Sequence, residues 1–199
     1  MIFFVVIPFF IYLLSYIPFV DSNNPGLFAR MLNNQKTMFN YHSNLDATHP
    51  YSSTWIQWPL MVRPIFYYSN VLEGTMRQGI SSFGNPLVWW AGIPAFIYML
   101  YLAYKRKDRT ATFLCVGYLA QFLPWVLVAR CTFICRYFPS VPFLVCMIAY
   151  SFNQLKKKVK PGTFIGILTG YAVVAFLLFL LFYPILSGQP IDKNFVVNY

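Results

Sequence analysis

Acidic residues are scarce: Asp and Glu total 5 in a chain of 199, against 15 Lys and Arg. Charged residues make up only 10%, while 58% are hydrophobic and 21% aromatic. That balance excludes a water-facing globule. Cysteine and histidine are also sparse, with four of the first and two of the second. Cys131 and Cys135 form a C-x₃-C pair with no further cysteine or histidine near it, so the four-ligand set of a zinc site is missing. Cys115 and Cys146 fall in apolar runs, and all four read as free thiols; no metal or cofactor is implied. No internal repeat or low-complexity tract occurs. No basic residue precedes the first apolar run and no small-residue cleavage site follows it, which argues against a secretory signal peptide.

What is abundant is uncharged length. A helix needs roughly 20 mostly apolar residues to cross a hydrocarbon core of about 30 Å. Such windows recur at 2–20, 86–104, 110–129 and 163–187, and the shorter run 140–155 reaches that length as 137–155. Prolines 8, 18, 94, 124 and 142 lie in or near them, as membrane helices tolerate. The fold class expected is an all-α polytopic membrane protein with five transmembrane helices. The domain pattern is a helix at 1–20, an extracytoplasmic loop at 21–85 and a four-span region at 86–199.

The net charge of +10 resembles a nucleic-acid footprint until its distribution is read. Lys105, Arg106, Lys107 and Arg109 separate two spans, and Lys156, Lys157, Lys158 and Lys160 separate two others. By the positive-inside rule these eight are cytoplasmic, and no nucleic-acid partner is needed. The N-terminus is then inside, with residues 21–85, 130–139 and the tail 188–199 outside.

The outer loop of 65 residues holds most of the polar content. Asn24 and Pro25 give a helix start. Apolar Leu27, Phe28, Met31, Leu32, Met38, Phe39 and Leu45 oppose Arg30, Asn33, Lys36, Thr37, Asn40 and Asn44, which predicts an amphipathic helix over about 25–45. It lies either on the membrane surface or against other extracytoplasmic protein. Residues 49–64, HPYSSTWIQWPLMVRP, follow. Trp55, Trp58, Tyr51, Tyr67 and Tyr68 form either an interfacial aromatic belt or a surface for stacking on sugar. The ionisable residues His42, Asp46, His49, Arg63, Glu73 and Arg77 on the same side are better explained by a ligand.

Arg130 and Arg136 flank the other outer loop, on the side where arginine is disfavoured. They either snorkel to ordinary headgroups or clamp a lipid phosphate.

Three stretches carry a resemblance: YHSNLDATHPYSSTWIQWPLMVRPIFYY at 41–68, GNPLVWWAG at 84–92 and ARCTFICRYFPSVPFL at 129–144. They resemble the C-terminal membrane region of polyprenol-phosphate-mannose-dependent protein O-mannosyltransferases, of the GT-C superfamily. The resemblance extends over essentially the whole chain. That family's C-terminus is external, which agrees with the topology read from the lysine loops. An outer loop of 65 residues is too short for the β-trefoil domain of the eukaryotic enzymes, which points to the bacterial branch and its plasma membrane.

The family's catalytic acidic pair belongs to an N-terminal outer loop. No DE or DD pair occurs here, and the outer acids Asp21, Asp46, Glu73 and Asp192 do not resemble it. The expectation is therefore a C-terminal half, as a fragment or split gene product, that is inactive alone and has no catalytic residue of its own.

The resemblance implies a polyprenyl-phosphate-mannose donor, a protein Ser/Thr acceptor, and membrane lipids and the N-terminal half as partners. Arg130 and Arg136 are the candidates for the donor phosphate. His49, Tyr51, Trp55, Trp58 and Arg63 are candidates for the substrate cleft, with His42 and Asp46 on its edge. Two alternatives stay open: a related GT-C transferase using another sugar or acceptor, and a non-catalytic membrane scaffold.

Overall fold

A computed structural model of the chain describes residues 2–19, 26–45, 48–72, 74, 76–128 and 130–192. It forms two compact units, Met1–Ala47 and Thr48–Tyr199.

In the first unit a π-helical turn, Ile2–Val6, runs into helix α1 (Ile7–Leu14), with Pro8 just after the change from one helix type to the other. Helix α2 is Leu27–Ser43. Asn34 donates to the Tyr16 hydroxyl at 2.9 Å, Gln35 bonds Tyr12, and the two tyrosine hydroxyls are 2.8 Å apart. On α2 Met31 is buried, while apolar Phe28, Leu32, Met38 and Phe39 are exposed. The apolar helix Ile2–Leu14 is shorter than the four that follow; at about 1.5 Å per residue it falls short of a hydrocarbon core.

The second unit holds helices α3 (Pro86–Lys105), α4 (Arg109–Phe122), α5 (Val141–Lys156) and α6 (Pro161–Ser187). A 3₁₀ turn at Leu123–Leu127 continues α4, and one at Ile134–Ser140 leads into α5. With those extensions, four helices among the described residues are long and apolar enough to cross a membrane. The all-α expectation needs one correction. Strands β1 (Ile65–Val71), β2 (Met76–Ser82) and β3 (Ile191–Asp192) form an antiparallel sheet in the order β1-β2-β3. Gly74, at φ 77, turns the chain between β1 and β2. Tyr67 and Tyr68, read in sequence as part of an interfacial belt or a sugar-stacking surface, lie in the first strand of this hairpin.

The sequence GNPLVWWAG shows why the bundle forms where it does. Asn85 caps α3 by accepting the Leu87 N–H at 3.1 Å, Pro86 occupies the first turn, and Asn85 Nδ2 donates to the Ala175 carbonyl of α6 at 2.7 Å. Gly84 leaves the space that the Trp89 ring fills, since a Cβ there would stand 1.3 Å from a ring carbon. Gly92 lets Leu144 of α5 approach, a Cβ there lying 3.0 Å from its methyl groups. Trp89, Met99, Leu102, Leu144 and Met147 make the buried core with Tyr118 and Tyr137, whose hydroxyls are 2.8 Å apart. Lipid tails are as apolar as these side chains, so close packing and hydrogen bonds, rather than exclusion of water, hold such helices together.

Asp108 caps α4, accepting the Ala111 N–H at 3.0 Å and the Tyr150 hydroxyl of α5 at 2.7 Å. The Tyr150 bond first, then the backbone bond, holds its carboxyl below the usual carboxylate range. A depressed folded pKa means the contribution is complete above the unfolded value, near 4, and is lost as pH falls through the lower folded value. Asp108→Ala is expected to cost about 1 kcal/mol at pH 7. The difference from wild type should shrink as pH falls through that lower value; a thermal-unfolding difference that does not change with pH across the acid range would assign the effect to something other than the carboxylate.

Candidate functional site

The stretch 49–64 is a folded loop with its own internal bonds. The Ser52 N–H donates to the His49 carbonyl at 2.9 Å and the Tyr51 N–H to His49 Nδ1 at 3.2 Å. Thr54 and Gln57 close a capping box around a 3₁₀ turn, Trp55–Gln57. Trp58 is 0% exposed, its indole N–H donating to Ser53 Oγ at 3.0 Å and its ring edge-on to Trp125 at 5.8 Å. It therefore packs the loop and does not face a cleft. Trp55 is half-buried against Phe122, with ring centroids 5.7 Å apart.

This loop is tied to the one that carries the two arginines. The Ser53 N–H donates to the Thr132 carbonyl at 2.9 Å, and the Thr132 hydroxyl donates back to the Ser53 carbonyl at 2.8 Å. The His49 ring stands edge-on to Phe133 at 5.2 Å. Arg136 is exposed, its guanidinium 5.4 Å from the centre of the Trp125 ring, the geometry of a cation–π contact. Arg130 is half-buried at the start of the same loop. Two segments about 80 residues apart in sequence are thus joined, with exposed His49 and Arg136 at their junction.

Tyr51 and Arg63 face elsewhere, into an open cleft of about 780 Å³. Its floor is one face of the hairpin. Arg77, Gly79 and Ser81 alternate along β2, and a bulge between Phe66 and Tyr68 brings Phe66 opposite Ser81 and Ser69 opposite Gly79. Met61 and Arg63 form one wall, and Trp90 of α3 with Phe182 and Ile185 of α6 form the other. Arg63 Nη1 reaches the Pro50 and Ser52 carbonyls at 3.5 and 3.4 Å, which keeps its side chain over the rim. His49, Trp55 and Trp58 do not line this cleft. His42 belongs to the other compact unit, and Asp46 lies outside the described residues, as do Asp21 and Glu73.

Arg77 was noted in sequence only as one more ionisable group on the outer side. The signal that places it is the alternation in MRQGISS, where residues 77, 79 and 81 share a face.

Residues 27–198 match the model of the C-terminal four-transmembrane region of protein O-mannosyltransferase. The chain is 27% identical over 185 residues to a polyprenol-phosphate-mannose–protein mannosyltransferase of Corynebacterium glutamicum, covering 87% of this chain and 35% of that one. To its namesake in Mycolicibacterium smegmatis it is 27% identical over 223 residues, covering 94% of this chain and 43% of that one. The chain thus spans less than half the length of these relatives. In fold it resembles a chain of the Saccharomyces cerevisiae protein O-mannosyltransferase Pmt1-Pmt2 complex bound to the sugar donor, with TM-score 0.68 and 20% identity over 90% of this chain and 27% of that one. With a family model matching residues 27–198 and a fold to go with it, the chain belongs to the protein O-mannosyltransferase family, in its C-terminal four-transmembrane region.

Proposed function

We propose that the chain is the C-terminal part of an integral-membrane glycosyltransferase. It would help transfer mannose from a polyprenyl-phosphate donor to Ser or Thr hydroxyls of proteins on the outer face of a bacterial plasma membrane. The observation that carries this reading is the reciprocal Ser53–Thr132 pair, which holds the 49–64 loop against the loop of Arg130 and Arg136. The names of the bacterial relatives supply the donor and the acceptor class. In this reading the N-terminus is cytoplasmic, α2 lies along the outer interface, and the catalytic acidic pair is supplied by an N-terminal half.

A carboxylate of that half takes the proton of the acceptor hydroxyl. The hydroxyl oxygen bonds to the anomeric carbon while the bond from that carbon to the phosphate oxygen breaks, so the configuration inverts. Negative charge collects on the departing lipid phosphate, and guanidinium groups fixed beside it stabilise the transition state more than the ground state. Arg130 and Arg136 fill that role, and His49 borders the substrate beside them.

The test supplies the complete enzyme with radiolabelled polyprenyl-phosphate mannose and a Ser/Thr-containing peptide. The expected result is label on the peptide hydroxyl, lost when the acidic pair is replaced by amides. Label recovered only in a lipid or polysaccharide product would sink the protein-acceptor reading in favour of a related transferase.

A further inference from the structure

The cleft under the hairpin carries two guanidinium groups and, among its described lining residues, no carboxylate. Arg77 sits mid-sheet, paired with Val71 on one side and Ile191 on the other, so its backbone is fixed. Its Nε is fully buried and has no hydrogen-bond partner among the described residues. A charged donor removed from water without an acceptor is costly, more so than a neutral one. An anion entering the cleft would offset the charge of this guanidinium, which lines it. Arg63, on the opposite rim, offers a second fork suited to the oxygens of a phosphate ester.

The rest of the cleft selects what carries that anion. Trp90, which is 52% exposed, and Phe182 and Ile185 come from α3 and α6, two of the helices long enough to cross a membrane. A basic pocket between such helices fits an anionic head with an apolar tail. A volume of about 780 Å³ holds a headgroup and the first part of its chains. Neither Arg130 nor Arg136 lines this cleft. We propose that the Arg63–Arg77 cleft binds the phosphate of an anionic lipid, at a site separate from the donor phosphate site assigned to Arg130 and Arg136.

The experiment measures lipid retention by native mass spectrometry on the full chain purified in detergent, offering phosphatidylglycerol or phosphate-free diacylglycerol. Phosphatidylglycerol should bind about tenfold or more tightly, and Arg77→Gln should abolish that preference. Arg77→Lys should keep part of it, and Arg130→Gln all of it. Gly79→Leu fills the floor while leaving both arginines, the first added carbon lying 3.4 Å from the Tyr68 carbonyl, an ordinary contact. It should also lose the lipid. Helix content and unfolding midpoint, measured on each variant, separate a lost site from a lost fold.

Millimolar inorganic phosphate distinguishes the sources of the anion. Displacement of the lipid shows that the phosphate alone is recognised, and retention shows that the tail contributes; both support the site. A preference that survives in both Arg77→Gln and Gly79→Leu would overturn it. So would displacement by an acidic peptide in the absence of any lipid preference. Neither result touches the mannosyl-transfer reading, which the peptide-labelling assay decides.

Discussion

Arg130→Ala and Arg136→Ala, made in the complete enzyme, are each expected to lower mannosyl transfer by about 10²-fold, the usual loss when one fixed donor to a developing anion is removed. Folded yield should barely change. Arg136 is exposed and its visible anchor is the face of Trp125, a contact worth only about 0.5–1 kcal/mol at such a site. The loss should appear in kcat/KM for the lipid donor, with KM for the acceptor peptide unmoved. Lysine should restore part of the rate, because it returns the charge without the planar fork. Donor kinetics that stay at the wild-type level in both alanine variants would take the arginines out of the mechanism.

Trp58→Ala should act in the opposite way, on stability first. The ring is wholly buried, and removing it opens a cavity and leaves Ser53 without its indole partner. Truncations of this kind cost about 3–5 kcal/mol, a fall of roughly 10 °C in unfolding midpoint for a chain of this size. Ser53 is also the residue that grips Thr132, so the same variant should loosen the arginine loop and lose activity with the fold. Trp58→Phe, which keeps most of the volume, should cost far less. A midpoint for Trp58→Ala within about 2 °C of wild type would mean that the loop is not held by this residue.

Arg136 and Trp58 show what was legible in the sequence. The four long apolar helices could be read directly, because an uncharged window of about 20 residues has few other uses. Arg136 could be singled out for its cost at a membrane boundary. Trp58 could not be told from Trp55, Tyr51 or His49. Which aromatic of a proline-rich loop turns inward depends on a partner 67 residues later, Trp125, and on a tie to Thr132. The hairpin was missed for a related reason. Its first strand, IFYYSNV, is exposed along most of its length and shows no clear alternation of apolar and polar residues, so aromatic content suggested an interfacial belt. The cleft that the hairpin builds was hidden with it, and Arg77 counted only as charge.

Helix α6 contains 27 residues, a rod about 40 Å long, against a hydrocarbon layer of about 30 Å. The most apolar stretch of this helix holds no buried residue. Either the rod leans by roughly 40°, or its last two turns rise clear of the acyl chains. Those turns hold Phe182 and Ile185, and the left-handed Gly188 that ends them lies against Ile80 of the hairpin. In the second case an overlong helix rooted beside the Lys156–Lys160 loop becomes a strut that holds the sheet above the acyl chains.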